Sequence, residues 1–329
     1  MSRIAVLGAG AWGTALAISL ARRGGHSVAL WSFLPELASE MKKTGVNSLF
    51  LPDYTVPADV LVTADLAEAV KAAEIVLCVT PSEHLRGVVG QIAPHLTSNQ
   101  IVVSAAKGLE QSSLLRMSQV IASVTANPFG VLSGPSFAAE VAAGMPTAIV
   151  AAGTPAVSQA IQRAFSSPTL RIYTNEDVTG VELGGALKNV IALAAGVVHG
   201  LDLGYNPAAA LITRGIAEIT RLAVACGGRR QTLAGLSGMG DLVLTCTGSL
   251  SRNRMVGIEL GKGRKLAEIL EGMNGKVAEG VLSTAAALGL AARYGVEMPI
   301  TEQMDAILHR GKSPKVAIHE LMTRPGKDE

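Results

Sequence analysis

Aromatic side chains are nearly missing from this chain: 2 Trp, 4 Tyr and 5 Phe among 329 residues. A core must therefore be assembled from Ala, Val, Leu and Ile. Charge is thin as well. The 28 Lys+Arg and 26 Asp+Glu make 16 % of the chain, against roughly a quarter in an ordinary soluble domain. A net charge of +2 and the lack of any Lys/Arg block argue against a nucleic-acid partner. The three cysteines, Cys78, Cys226 and Cys246, are odd in number and far apart. They make no CxxC or zinc spacing, and the six histidines lack ligand spacing. No metal is expected; free thiols in a reducing cytoplasm are. Long hydrophobic runs are absent too. The longest charge-free apolar stretch, 141–162, is broken by Gly144, Pro146, Gly153 and Pro155 and predicts no membrane insertion. Met1 is followed at once by the strand-like run 4–7, which predicts no signal peptide.

What is plentiful is small and apolar: 49 % hydrophobic residues and 36 glycines. Such a chain buries enough surface to offset its entropy, which excludes disorder, and its length allows two domains. Eight apolar runs read as strands: 4–7, 28–31, 60–63, 75–79, 101–105, 131–133, 148–152 and 171–174. Helical patterns such as 14–23, 66–73 and 114–124 fall between them. The runs are continuous instead of alternating, as in strands covered on both faces. After about residue 175 strand patterns vanish and Ala/Leu-rich helical patterns follow at 181–198, 207–225, 277–294 and 299–308. Pro207 and Pro299 stand where helices are expected to begin. The expected fold is α/β: a Rossmann-type doubly wound, mostly parallel sheet over 1–178, then an all-α domain over 179–329.

Gly8-Ala9-Gly10-Ala11-Trp12-Gly13 is a G-x-G-x-x-G that follows the first strand and opens a helix. One glycine permits the turn, one lets a pyrophosphate approach the backbone, and one lets helix pack on strand. The helix N-terminus then faces the anion. The second strand ends in Trp31-Ser32-Phe33-Leu34-Pro35, with neither the acid that holds a ribose hydroxyl nor an arginine for a 2′-phosphate. NAD and NADP both stay open.

Ligands in such sheets gather at the carboxyl ends of strands. Three ends carry suitable residues: Thr80-Pro81-Ser82, Ser104-Ala105-Ala106-Lys107-Gly108 and Ser133-Gly134-Pro135-Ser136-Phe137. Ser104 and Lys107 spell S-x-x-K, but the S-D-N and K-T-G partners of the penicillin-recognising enzymes are missing, so that reading is rejected. Lys107 is either a ligand residue or a solvated loop lysine.

The stretch 181–192 holds the more telling lysine. Val181-Glu182-Leu183-Gly184-Gly185-Ala186-Leu187-Lys188-Asn189-Val190-Ile191-Ala192 is a helix pattern that is apolar or small nearly all round. Burying a lone ammonium is expensive, so Lys188 is paired, used as an acid/base of lowered pKa, or snorkelling to the surface beside Asn189. Further on, 238–246 adds Asp241 and Thr245 beside glycines, and Ser251-Arg252-Asn253-Arg254 follows a turn. Either arginine can grip a phosphate or carboxylate, or simply open a surface helix.

These blocks, in this order, resemble the NAD(P)-dependent glycerol-3-phosphate dehydrogenases of the bacterial biosynthetic type. The match includes 8–15, 106–110, 133–138, 183–189, 240–246, 251–254 and 277–280. The resemblance implies reversible reduction of dihydroxyacetone phosphate to sn-glycerol 3-phosphate, a phospholipid precursor, by NADH or NADPH in the cytoplasm. It implies Lys188 as acid/base, with Lys107, Asn189 and Asp241 at the catalytic centre. Around the substrate it puts Lys107, Gly134, Ser136, Lys188, Asp241, Thr245, Ser251, Arg252 and Asn253. Facing the coenzyme it puts the glycine loop (Gly8, Gly10, Ala11, Trp12, Gly13), Phe33, Lys107, Ala138, Arg252, Val277 and Glu279. Phe33 stands where some relatives carry His or Arg, and Ala139 where some carry Lys. The expected partners are a phosphorylated triose and, through the Ala/Gly-rich helical half, a second copy in a homodimer. Two other readings stand beside this one: a β-hydroxyacid-type dehydrogenase of a small carboxylate, and a dinucleotide-sensing protein without catalysis.

Overall fold

A computed structural model describes residues 2–273 and 278–326. Val277 lies outside the described residues. The chain divides into two compact units, Met1–Glu110 with Leu115–Glu182, and Gln111–Leu114 with Leu183–Glu329.

The first unit is built on ten strands: β1 Ser2–Leu7, β2 His26–Trp31, β3 Val46–Asn47, β4 Leu51–Thr55, β5 Leu61–Thr63, β6 Ile75–Cys78, β7 Ile101–Ser104, β8 Phe129–Ser133, β9 Thr147–Gly153 and β10 Leu170–Asn175. Eight of them form one sheet in the order β10-β9-β8-β7-β6-β1-β2-β5, and β3-β4 is a separate hairpin. All pairings in the large sheet are parallel except β8–β9, so β9 and β10 run against the rest. The strand order reverses between β1 and β6, the place where such folds hold nucleotides. Both faces are packed. Ile4 and Val6 of β1 enter one core with Leu16, Leu20, Ile161 and Phe165, while Ala5 and Leu7 enter the other with Leu85, Val89, Ile92 and Met117. That double burial is why the strands read as unbroken apolar runs.

Several expectations are corrected. The helix foreseen at 114–124 is Met117–Val124, because Leu114 has φ +61°, outside the helical region. The β3–β4 hairpin gave no strand signal, since β4 is LPDYT, with a proline and mostly unburied side chains. Pro207 is the third residue of its helix, Tyr205–Ala225, and does not open it; Pro299 does open Pro299–His309.

The hub of the second unit is the helix Val178–Gly200 from Leu183 onward, its first turn being counted with the first unit. By length and composition it could cross a membrane, yet its most apolar window is 100 % buried within the protein. Every residue from 181 to 198 is buried. Glycines let other segments close on it. A Cβ at Gly196 or Gly200 would overlap the carbonyl oxygens of Arg254 or Ile258, and one at Gly257 that of Leu193. A Cβ at Gly261 would lie 2.6 Å from the Val197 oxygen. Two glycines four apart on each helix thus make a seam between Val178–Gly200 and Arg252–Gly261. Scarce aromatics suit this packing, in which backbone meets backbone.

Candidate functional site

In the first unit the three loop glycines serve three different ends. Gly8 has φ +125°, and a Cβ there would lie 2.8 Å from the Val79 oxygen. A Cβ at Gly13 would overlap the Gly8 carbonyl, so only glycine lets helix Ala11–Arg23 sit on β1. At Gly10 nothing lies within 4 Å. That open edge adjoins a helix start with no side-chain cap and no acid in its first turn, so unclaimed N–H groups and the helix dipole favour an anion. The residues present fit the pyrophosphate of a dinucleotide. Ala11 and Trp12 open that helix, both half-buried.

Asn47, in the unforeseen hairpin, holds this loop from behind. Fully buried, its amide nitrogen donates to the Ala9 carbonyl and the Thr14 hydroxyl, each at 2.8 Å. Its own oxygen accepts from Phe50 N at 3.1 Å. Nothing local in Val46-Asn47-Ser48 signals that role; an asparagine between charged and apolar stretches reads as a turn residue.

Lys107, Gly134 and Ser136 come together at neighbouring strand ends. Lys107 Nζ donates to the Gly134 carbonyl at 2.9 Å, and Ser136 Oγ to the same oxygen at 3.1 Å. Gly134 has φ +140°, and a Cβ there would lie 2.9 Å from Ile149 Cα. The lysine loop is braced from outside by Arg86, whose Nε and Nη2 both meet the Glu110 carboxylate at 2.8 Å. Ser104 of the rejected S-x-x-K is fully buried and accepts from Ala106 N at 3.3 Å. Phe33 projects from the end of β2, 79 % exposed. Ala138 opens the helix Ala138–Ala143.

In the second unit Lys188 turns inward. Its Nζ donates to Asp241 Oδ1 at 2.5 Å and Thr245 Oγ1 at 2.7 Å. Lysine, aspartate and threonine are 6 %, 1 % and 5 % exposed, so the snorkelling alternative is set aside. Thr245 gives its own proton to the Asp241 carbonyl at 2.6 Å, which leaves its oxygen as the acceptor facing the ammonium. Asp241 and Thr245 are i and i+4 on helix Asp241–Thr247 and share a face. Glycines deliver that helix. A Cβ at Gly184 would lie 2.6 Å from the Ser237 oxygen, and one at Gly238 would overlap the Leu233 carbonyl. The π-turn Leu236–Gly240 can therefore lie directly against the lysine-bearing helix. The neighbouring Cys246 thiol is pushed up to about 12, chiefly by burial.

Among the described residues Asn189 makes no hydrogen bond to Lys188, Asp241 or Thr245 and turns elsewhere. Its amide reaches Glu279 at 3.5 Å, and its oxygen accepts from Asn253 at 3.1 Å. Asn253 in turn accepts from Gly280 N at 2.9 Å. Asn189, Asn253 and Glu279 thus form a second polar cluster one residue along from Lys188. Ser251 caps helix Arg252–Gly261 by accepting from Arg254 N at 3.2 Å. Arg252 is exposed and has no side-chain hydrogen bond or ion pair among the described residues. Lys107 belongs to the first unit, Lys188 and Arg252 to the second.

Known proteins point the same way. The family profile described as NAD-dependent glycerol-3-phosphate dehydrogenase N-terminus matches residues 3–158, and its C-terminus counterpart matches 177–319. The chain is 60 % identical to glycerol-3-phosphate dehydrogenase (NAD(P)+) of Koribacter versatilis, covering 100 % of this chain and 99 % of that one. It is 54 % identical to the like-named protein of Geobacter sulfurreducens, covering 99 % and 98 %. Among solved structures, glycerol-3-phosphate dehydrogenase from Coxiella burnetii superposes with a TM-score of 0.94 at 40 % identity, over 98 % of this chain and 99 % of that one.

Proposed function

The chain belongs to the NAD-dependent glycerol-3-phosphate dehydrogenase family, and from that membership we propose that it reduces dihydroxyacetone phosphate reversibly to sn-glycerol 3-phosphate with Lys188 as the proton donor. It is an NAD(P)-dependent oxidoreductase. The coenzyme, when bound, supplies or takes up the hydride. Gly8, Gly10, Ala11, Trp12 and Gly13 hold it, with Phe33 and Ala138 alongside.

The observation that carries the mechanism is the buried Lys188–Asp241–Thr245 cluster. As the ketone carbon is reduced, negative charge grows on its oxygen. The Lys188 ammonium, in low dielectric, stabilises that charge and passes it a proton; in the other direction the neutral amine takes the proton back. Asp241 offsets the desolvation of the ammonium and, with Thr245, fixes where Nζ points. Arg252, exposed and unengaged among the described residues, suits bidentate binding of the substrate phosphate. Lys107, Gly134, Ser136, Ser251 and Asn253 complete the proposed substrate contacts, and Glu279 faces the coenzyme. The finer reading, of a cytoplasmic homodimer that supplies phospholipid synthesis, rests on the resemblance; light scattering on the purified protein tests the dimer.

Replacing Lys188 by Met should lower kcat by at least ~100-fold, within the range for a lost acid/base, and leave the dissociation constant for NADH nearly as it was. Unchanged kcat would sink the assignment.

A further inference from the structure

A lysine holds a ligand in one place only if its backbone is held, because its stem swings freely. Lys107 follows β7 and is half-buried, and the run after it, Gly108, Leu109 and Glu110, is buried throughout. The bond from Nζ to the Gly134 carbonyl at 2.9 Å fixes the head of the side chain. Its base is fixed from the neighbouring strand. β6 pairs with β7, Cys78 opposite Ser104, and β6 leads into Thr80-Pro81-Ser82, a polar strand end that the proposed site leaves unused. The turn Ser82–His84 runs directly into helix Leu85–Ile92. Ser82 and Arg86 are therefore i and i+4, on one side of the helical stretch.

Both residues meet the lysine loop. A Cβ at Gly108 would overlap Ser82 Oγ and lie 2.8 Å from Ser82 Cβ, so the loop backbone rests on the serine. Two residues further on, Arg86 Nε and Nη2 take one Glu110 oxygen each at 2.8 Å. The third nitrogen, Nη1, donates to Ser123 Oγ at 2.9 Å, and that hydroxyl donates to the Val120 carbonyl at 2.7 Å. All three guanidinium nitrogens are thus engaged, one of them on helix Met117–Val124. Glu110 N donates to the Leu115 carbonyl at 3.0 Å, and Leu109 bridges to Arg116. Glu110 is only 8 % exposed, a costly place for a carboxylate unless its partner is fixed.

We infer that Arg86 and Glu110, with the contact of Ser82 on Gly108, are positioning elements that aim Lys107 at the substrate, a reading that rests on the dehydrogenase assignment for the ligand Lys107 meets. Neither member of the ion pair touches that ligand; they act through the lysine between the two points of the clamp. Loosening the clamp leaves Lys107 present and charged but misplaced, so the loss belongs to substrate binding.

Glu110→Gln keeps the size of the side chain and removes the charged fork. It should raise the KM for dihydroxyacetone phosphate ~10-fold with kcat within ~2-fold, the mark of binding shared by substrate and transition state. Arg86→Lys keeps the charge without the bidentate grip and should move KM the same way. A double-mutant cycle separates aiming from plain structure: in a Lys107→Ala chain, Glu110→Gln should change KM by less than ~2-fold, because no lysine is left to aim. An equal effect in both backgrounds, or an unchanged KM in Glu110→Gln, would overturn the inference. Hydrogen exchange reads the clamp without substrate. The amides of 106–110 should exchange ~10-fold faster in Glu110→Gln while those of β6 and β7 keep their protection; unchanged exchange would also overturn it. If the unaltered protein binds NADH, followed by the fluorescence of the reduced nicotinamide, yet never oxidises it with dihydroxyacetone phosphate, the dehydrogenase reading fails, and faster exchange still upholds the positioning of Lys107.

Discussion

An ammonium buried without a partner loses several kcal/mol of hydration, so the position of Lys188 is set by what answers it. Asp241 supplies the countercharge and Thr245 a lone pair, and the threonine proton is tied to the Asp241 carbonyl, so all three groups are fixed relative to one another. Asn47 does the same for the opposite charge problem. It clamps the Ala9 carbonyl and the Thr14 hydroxyl, which keeps the loop between Gly8 and Gly13 in the shape that turns its N–H groups outward. Asn47→Ala removes both bonds at about 1 kcal/mol each. It should raise the dissociation constant for NADH by ~10-fold, read by the same fluorescence titration, while kcat at saturating coenzyme changes little. A titration indistinguishable from the unaltered protein would mean that the loop keeps its shape without the clamp.

At the scale of elements, the helix Val178–Gly200 is held by glycines as much as by side chains. Gly257→Ala would push a methyl into the Leu193 carbonyl across a backbone seam that has nothing flexible to yield. A loss of about 2–3 kcal/mol is expected from such overpacking, seen as a lower urea midpoint with the slope unchanged; Gly263→Ala, where nothing lies within 4 Å but φ is +89°, should lose only the smaller backbone term. This seam also marks where reading the sequence stops. The strands were legible because burial on both faces leaves an unbroken apolar run, and Lys188 was legible because its helix has no polar side to put it on. Its partners were not, since Asp241 lies 53 residues away and is brought in by close approaches at Gly184 and Gly238 that look like any other glycines in the sequence. Asn47 and the hairpin around it carried no periodic signal at all. Asn189 sat next to the legible lysine, yet a step of one residue turns it to another face of the helix, toward Glu279 and Asn253.

For the whole molecule, scarcity of charge means that few groups govern how stability follows pH. Among the described residues the interior holds the acids Glu110, Asp177, Glu182, Glu218 and Asp241 against one lysine. Glu218 holds two helices together. From helix Tyr205–Ala225 it accepts Ile300 N and Thr301 N at 2.9 Å and the Thr301 hydroxyl at 2.7 Å. It thereby caps helix Pro299–His309, which has no side-chain cap of its own. Burial pushes the Glu218 carboxyl above its ordinary value of 4.5, against the opposing pull of those donors and of Arg221. A raised value means that the folded protein keeps this proton longer than the unfolded chain does. Its contribution is therefore complete below pH 4.5 and is lost as pH rises through the folded value. Each unit of that rise is worth about 1.4 kcal/mol at the plateau. Glu218→Gln cannot titrate, so the stability of the unaltered protein relative to this variant should fall with rising pH above the ordinary carboxyl range and then level off. Urea unfolding across that range reads the difference directly, and two parallel profiles would mean that Glu218 ionises as easily inside the fold as outside it.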